Sequence, residues 1–186
     1  MYKLIALIGE SGSGKDSVLR EALKRNLNFH KVINCTTRPK REGEKEGVNY
    51  FYLTNEEFAA KIIDMSMLEA TSFNNWFYGT TIDALSADKI NIGVFNPYSI
   101  GILKDREDID LRVFYIKTKD KNRLIRQLNR EEDPNVEEII RRFKADKEDF
   151  YDLDFYYFEL ANDTTNDFNN IVDCISRLSD RAFWAK

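Results

Sequence analysis

Nine residues near the start of the chain have the types and the spacing to hold phosphate: Gly9-Glu10-Ser11-Gly12-Ser13-Gly14-Lys15-Asp16-Ser17. A glycine, four residues and then Gly-Lys is the spacing of a P-loop. Its glycines let backbone N–H groups turn inward on phosphate oxygens, and its lysine carries a point charge to the terminal phosphates. A helix following the loop adds the positive end of its dipole. Asp16 stands where serine or threonine usually follows the lysine. A carboxylate there is a hard oxygen ligand, able to take Mg²⁺ directly or through water, and Ser17 is the nearest substitute hydroxyl. The loop implies that a phosphorylated nucleotide binds, and says nothing of what is done with it.

A second group lies in the polar stretch Thr36-Thr37-Arg38-Pro39-Lys40-Arg41-Glu42-Gly43-Glu44, followed by Gly47 and Tyr50. Arg38 and Arg41 can grip an anionic oxygen cluster with forked, charge-assisted bonds. Tyr50 and Tyr78 can add hydroxyl donors without adding charge. Glu69 sits among Met67, Leu68 and Ala70; a carboxylate buried there needs donors. A third group is Arg123, Arg126, Arg130, Arg141 and Arg142. Such a cluster suits a moving phosphoryl group, whose transfer demands charge neutralisation and exclusion of water. Helical pairing is the competing account, because Glu137 and Glu138 lie four residues before Arg141 and Arg142.

With these residues the chain resembles the guanylate kinase family, whose pattern is Thr-Thr-Arg, two residues, Arg, one residue, Gly-Glu, then Gly and Tyr. The likeness extends through Leu68-Glu69 to Tyr78-Gly79-Thr80-Thr81 and covers nearly the whole chain. It implies phosphoryl transfer from ATP·Mg²⁺ to GMP or dGMP, with Lys15, Arg130 and Arg142 catalytic. The acceptor would be held by Asn34, Arg38, Arg41, Tyr50, Glu69, Tyr78, Thr80 and Asn96. The guanine N1 and N2 hydrogens would supply the donors that Glu69 needs, and Asp16, with Ser17 behind it, would serve the metal. Four positions depart from the pattern. Asp16 replaces the hydroxyl residue, Asn34 stands where a serine is usual, and Val94-Phe95-Asn96 replaces an Asp-x-Asp pair. The Gly-Arg-Gly turn of the family also becomes Asn129-Arg130-Glu131. Gly-Lys-Asp-Ser and the asparagine after the third core strand are similar to ribose 1,5-bisphosphate phosphokinases. The acceptor therefore stays open between GMP, a broader set of deoxynucleoside monophosphates and a sugar bisphosphate. A non-catalytic binding module of the same fold is the remaining alternative.

The elements that must position these residues follow from pattern. The apolar run Leu4–Ile8 reads as a buried strand, Lys15–Arg25 as a helix and Lys31–Cys35 as a second strand. Thr54 with Glu57 forms a capping box opening a helix to about Met65. Leu68–Phe73 and Trp76–Tyr78 read as strands around Asn74-Asn75. Alternation then resumes with helix Thr81–Asp88, strand Ile90–Phe95, helix Ser99–Lys104 and strand Leu111–Ile116. A helix from Asp120 to Leu128 and one opened by Asp133-Pro134 and running to about Tyr151 come next. Strand Phe155–Leu160 and a closing helix striped by Phe168, Ile171, Val172, Ile175 and Leu178 complete the chain. The expected fold is α/β: a P-loop core with a parallel sheet flanked by helices, a small mixed insertion and a helical lid. One domain is expected over 1–186, with core segments 1–35, 81–125 and 143–186, a monophosphate-binding insertion over 36–80 and a lid over about 126–142.

At 186 residues, a charged fraction of 32% and a net charge of −4, the chain suits one soluble α/β domain and argues against binding nucleic acid through bulk charge. Cys35 and Cys174 lack metal-ligand spacing and read as thiols in a reducing cytoplasm. Lone His30 gives little support to a metal site or a histidine-based triad. No stretch approaches a membrane span. ATP and a nucleoside monophosphate are the expected partners, bound to a monomer or homodimer.

Overall fold

The structure, a computed structural model, describes residues 1–41, 43–73, 75–130, 132–155, 157–178 and 184. Glu42 of the polar loop, Asn74 of the turn, Glu131 beside Arg130 and Tyr156 of the expected last strand lie outside the described residues.

Strand β1 (Tyr2–Ile8) is the centre of the molecule, and Leu4 to Ile8 are fully buried. Successive side chains of a strand point to opposite faces, so β1 feeds two cores. Ile5 and Leu7 pack with Val18, Leu19 and Ala22 of α1 (Lys15–Arg25) and with Ile171, Val172 and Ile175 of α6 (Thr165–Ser176). Leu4, Ala6 and Ile8 pack on the other side, with Ile100 and Leu103 of α3 (Pro97–Leu103). Burial on both faces is why β1 reads as a continuous apolar run.

The core sheet also contains β2 (Phe29–Lys31), β7 (Ile90–Val94), β8 (Ile109–Lys117) and β9 (Phe158–Ala161), ordered β2-β7-β1-β8-β9 with every pairing parallel. The chain leaves β1 toward β2 on one side, whereas β8 flanks it on the other. The carboxyl end of β1 is therefore the switch point where open α/β sheets bind ligands.

A second sheet, ordered β4-β3-β6-β5, is built from β3 (Cys35–Thr36), β4 (Phe51–Tyr52), β5 (Met67–Phe73) and β6 (Trp76–Thr81). Only β3 and β4 pair in parallel. Helix α2 (Asn55–Ile63) lies between β4 and β5, and both bonds of its Thr54–Glu57 capping box are present.

Four expected elements differ. The strand expected over Lys31–Cys35 is two strands in two sheets. Val32 N–H still bonds Ile92 O (2.9 Å), but two residues later Asn34 O takes Phe51 N–H (2.9 Å), and the chain has crossed over. The helix expected over Thr81–Asp88 is one 3₁₀ turn, Ile82–Ala84. Buried Asn91 stops it: its Oδ1 accepts from Ser86 N–H (2.7 Å) and its Nδ2 donates to Ser86 O (2.9 Å), occupying the peptide groups a helix would use. Helices α4 (Asp120–Leu128) and α5 (Val136–Asp149) form as expected, but Asn135 rather than Asp133 caps α5, accepting from Glu138 N–H at 2.9 Å. The last strand starts at Phe158 rather than Phe155.

Candidate active site

The loop Gly9–Lys15 leaves the carboxyl end of β1 and turns into α1. Gly14 caps the helix with φ 93°, and a Cβ there would lie 2.6 Å from Asn162 Nδ2. Gly12 has φ 81°, and a Cβ on it would meet Arg123 O at 2.6 Å, so α4 approaches the loop as closely as glycine allows. The loop carbonyls are held from outside. Ser11 O accepts from Arg123 Nε (3.0 Å) and Gln127 Nε2 (3.3 Å). Ser13 O accepts from Asn162 Nδ2 (2.7 Å), Thr118 Oγ1 (3.1 Å) and Arg126 Nη1 (3.2 Å). A trans peptide directs N–H opposite to C=O, so carbonyls anchored outward turn amides toward the cleft. The first helical bond runs from Val18 N–H to Gly14 O (3.0 Å), which leaves the amides of Lys15, Asp16 and Ser17 to a ligand. Lys15 lines the cleft and donates to Glu10 O at 3.4 Å. Exposed Asp16 also lines it. Glu10 and Ser17 face elsewhere. Glu10 Oε1 turns to Arg123 (3.5 Å), and Ser17 Oγ accepts from Arg20 (3.4 Å).

From this loop a cavity of about 460 Å³ runs between the two sheets, and Asn34, Arg41, Tyr50, Glu69, Tyr78, Asn96, Arg130 and Arg142 line it. Most of the residues singled out from sequence thus meet in one cleft. Arg38 is an exception. It is buried, and Glu44 takes its guanidinium with bonds of 2.9 and 3.0 Å to Nη2, while Nη1 donates to Pro39 O (2.8 Å). Its guanidinium also stacks toward Tyr50 and Tyr52, at 5.6 and 5.9 Å. Partial burial opposes ionisation of Glu44, but Arg38, the Arg41 N–H and the Tyr52 hydroxyl overcome it and hold the carboxyl down at about 2. Arg38 thus stiffens the loop that presents Arg41. Arg41 carries little compensation: burial first, then the neighbouring Arg142 and Arg38 cations, lower its pKa. Two guanidinium groups drawn to one spot, with Tyr50 and Tyr78 rings packed edge to face at 6.2 Å beside them, make an anion site.

Glu69, which also lines the cleft, is 3% exposed. Its Oε1 accepts from Thr80 Oγ1 (2.6 Å) and its Oε2 from Ser99 Oγ (2.7 Å). Burial raises its pKa against these two hydroxyl donors. Thr80 is fully buried behind Glu69 and orients it rather than lining the cavity. Ser99, absent from the sequence candidates, shares this task. Asn96 is spoken for at both ends of its amide. It caps α3 by accepting from Ser99 N–H (2.7 Å), and it donates to Thr71 Oγ1 (3.2 Å). Asn34, which lines the cleft, donates from Nδ2 to Val94 O (3.1 Å).

Helices α4 and α5 roof the cavity. Arg126 packs on the loop carbonyls and donates to Asn162 O (2.8 Å), whereas Arg130 is exposed at the rim. Arg141 and Arg142 share one carboxylate, Glu138, at 2.6 and 2.8 Å, and hydrogen bonds from them, Arg141 first, hold it down at about 2. Helical pairing and a position in the cleft therefore coexist: Glu138 pairs with Arg142 at the expected spacing, and it also takes Arg141 from three residues away. Arg123 does not line the cavity; it is a buried anchor, 1% exposed.

The family model described as guanylate kinase matches residues 1–178. The chain belongs to the guanylate kinase family. It is 32% identical over 165 residues to the guanylate kinase of Prochlorococcus marinus (strain MIT 9312), covering 86% of this chain and 89% of that one. To the guanylate kinase of Wigglesworthia glossinidia brevipalpis it is 33% identical over 179 residues, covering 93% of this chain and 84% of the relative. The crystal structure of guanylate kinase from Anaplasma phagocytophilum shares the fold, with a TM-score of 0.72 at 22% identity over all of this chain and 87% of that one. The parallel P-loop core expected from sequence is thus the family's own. Among the described residues no helix is long and apolar enough to cross a membrane.

Proposed function

We propose that this family member transfers the γ-phosphoryl group of ATP to GMP or dGMP, giving ADP and GDP or dGDP. The observation that carries this reading is Glu69. It is a buried carboxylate lining the same cleft as the phosphate loop, with one hydroxyl donor on each oxygen. A guanine edge presents two adjacent N–H donors, and a carboxylate meets both. Asn34 lines the same cleft and is a further partner for the base. With the base at Glu69, the acceptor phosphate falls toward Arg41, Tyr50, Tyr78 and Arg142.

In this arrangement the loop amides and Lys15 hold the donor phosphates. An oxygen of the acceptor phosphate attacks the γ-phosphorus, and the bond to the bridging oxygen breaks as ADP leaves with the electron pair. Arg142, which lines the cleft, neutralises the equatorial oxygens in this reading, and exposed Arg130 assists. The protein's work is positioning and electrostatic stabilisation. Mg²⁺ would supply charge neutralisation on the donor phosphates. The described residues hold no group of three or more His, Cys, Asp or Glu that could hold a metal ion alone. A metal would therefore arrive on ATP, and Asp16, which lines the cleft, is the residue to meet it; Ser17 faces Arg20. We place the reaction in the cytoplasm, where Cys35 and Cys174 stay as free thiols.

An acceptor panel tests the proposal: ADP formation from Mg·ATP with each ribo- and deoxynucleoside monophosphate and with ribose 1,5-bisphosphate. Turnover confined to GMP and dGMP is expected. Turnover with the sugar bisphosphate alone, or ATP binding without any turnover, would overturn it.

A further inference from the structure

Arg123, Asp146 and Ser11 form a closed ring that the transfer chemistry above does not use. Arg123 Nη2 donates to Asp146 Oδ2 (2.5 Å), and the same oxygen accepts from Ser11 N–H (2.9 Å). Asp146 Oδ1 accepts from Ser11 Oγ (3.3 Å), and Arg123 Nε closes the ring on Ser11 O (3.0 Å). All of the Ser11 peptide groups, and its hydroxyl, are thus engaged by one buried ion pair. Arg123 is 1% exposed and lies over the Phe143 ring of α5 at 4.3 Å; Asp120 (3.0 Å) and Glu10 (3.5 Å) complete its shell. The three members come from the phosphate loop, α4 and α5. Removing an ion pair of this kind from water is costly, and well-packed apolar residues could fill its space as stably. Stability alone therefore gives little reason for the pair, and its geometry suggests another.

Asp146 lies four residues after Arg142 on α5, so the two share a face, separated by about 6 Å along the helix axis. Fixing Asp146 on the peptide of Ser11 sets the distance from the phosphate loop to Arg142. We infer that the Arg123–Asp146 pair is a latch that fixes the register of α5 on the loop, delivering Arg142 to the phosphoryl group in flight. Asp146 and Arg123 are then positioning residues, and the inference rests on the phosphotransfer reading above. It also assigns the Ser11 amide to the latch, so the donor phosphates use the amides after it, apart from Ser13 N–H, which is bonded to Glu10 O (3.1 Å).

The test is Asp146→Asn, alone and combined with Arg142→Ala. The variant keeps the side-chain volume, and Arg123 retains Asp120 and Ser11 O, so the fold survives; a thermal unfolding curve verifies it. Expected is a fall in kcat of about tenfold or more, with KM for ATP and GMP held within about threefold. The double variant should be no slower than Arg142→Ala alone, since Asp146 acts through Arg142. Multiplying losses, or an unchanged kcat, would overturn the latch. Amide hydrogen exchange gives a readout independent of turnover. It should quicken across α5 in Asp146→Asn while β1 and β8 stay protected, and unchanged exchange in α5 would equally overturn the inference. If the wild-type protein turned over no GMP, the phosphotransfer reading would fail, and exchange would decide the latch by itself.

Discussion

Glu44→Gln removes one charge from a loop whose shape depends on it. The carboxylate accepts from Arg38 at 2.9 and 3.0 Å, from Arg41 N–H at 2.9 Å and from the Tyr52 hydroxyl at 2.7 Å. These donors lower its pKa from 4.5 to about 2 in the folded protein. At about 1.4 kcal/mol per unit, the pair of states differs by about 3 kcal/mol, all of it favouring the fold at neutral pH. The sign follows from the direction of the shift. A depressed folded-state value gives stability that is full above pH 4.5 and is lost as pH falls toward 2. The difference in unfolding free energy between wild type and Glu44→Gln, from urea titrations, should be about 3 kcal/mol at pH 7 and roughly half that at pH 3. The variant should also raise KM for GMP, because Arg38 and Arg41 lose their common tether. A stability gap that does not change with pH, or no gap at neutral pH, would refute the reasoning.

Mg·ATP should stabilise the wild type against thermal unfolding and Lys15→Ala should abolish that shift; a retained shift would place the donor nucleotide elsewhere. Glu69→Gln should abolish GMP binding by calorimetry yet stabilise the protein. Burial raises the Glu69 pKa, so the native state holds its proton more tightly than the unfolded chain, and wild-type stability declines as pH rises above 4.5. The glutamine variant escapes that decline, and its unfolding temperature should exceed wild type at pH 8 and approach it near pH 4. A variant less stable than wild type at pH 8 would count against a strained buried carboxylate. Asp16→Ser should keep activity and change the Mg²⁺ concentration dependence of kcat; an identical Mg²⁺ profile would make Asp16 a bystander.

Much of the architecture was legible because it is local. The bounds of α1 follow from the glycine loop before it, and the capping box of α2 from two residues three apart. The five-residue apolar run of β1 announces a strand covered on both faces. The misjudged elements were decided by partners far away in sequence. A run such as Lys31–Cys35 cannot show that its two ends pair with different sheets, and a short amphipathic stretch after Thr81 cannot show that Asn91 takes the peptide groups of Ser86. The site divides in the same way. The resemblance to the guanylate kinase family singled out Lys15, Arg41, Tyr50, Glu69, Tyr78 and Arg142, and the structure brings them together in one cleft. Spacing could not assign Arg38 to Glu44, because a charged loop offers each arginine several carboxylates and only burial chooses among them. Ser99, 30 residues from Glu69, and Asp146, 135 residues from Ser11, left no pattern of their own. Ser99 carries one local trace, as the third residue after the Asn96 cap.

The central claim is that one cleft brings an ATP phosphate loop and a guanine-reading carboxylate together for direct transfer. Mixing enzyme with Mg·ATP and GMP and following both nucleotides by phosphorus NMR tests it most directly. Equimolar ADP and GDP should appear, with no inorganic phosphate released. ADP accompanied by inorganic phosphate, or no consumption of GMP, would contradict the account.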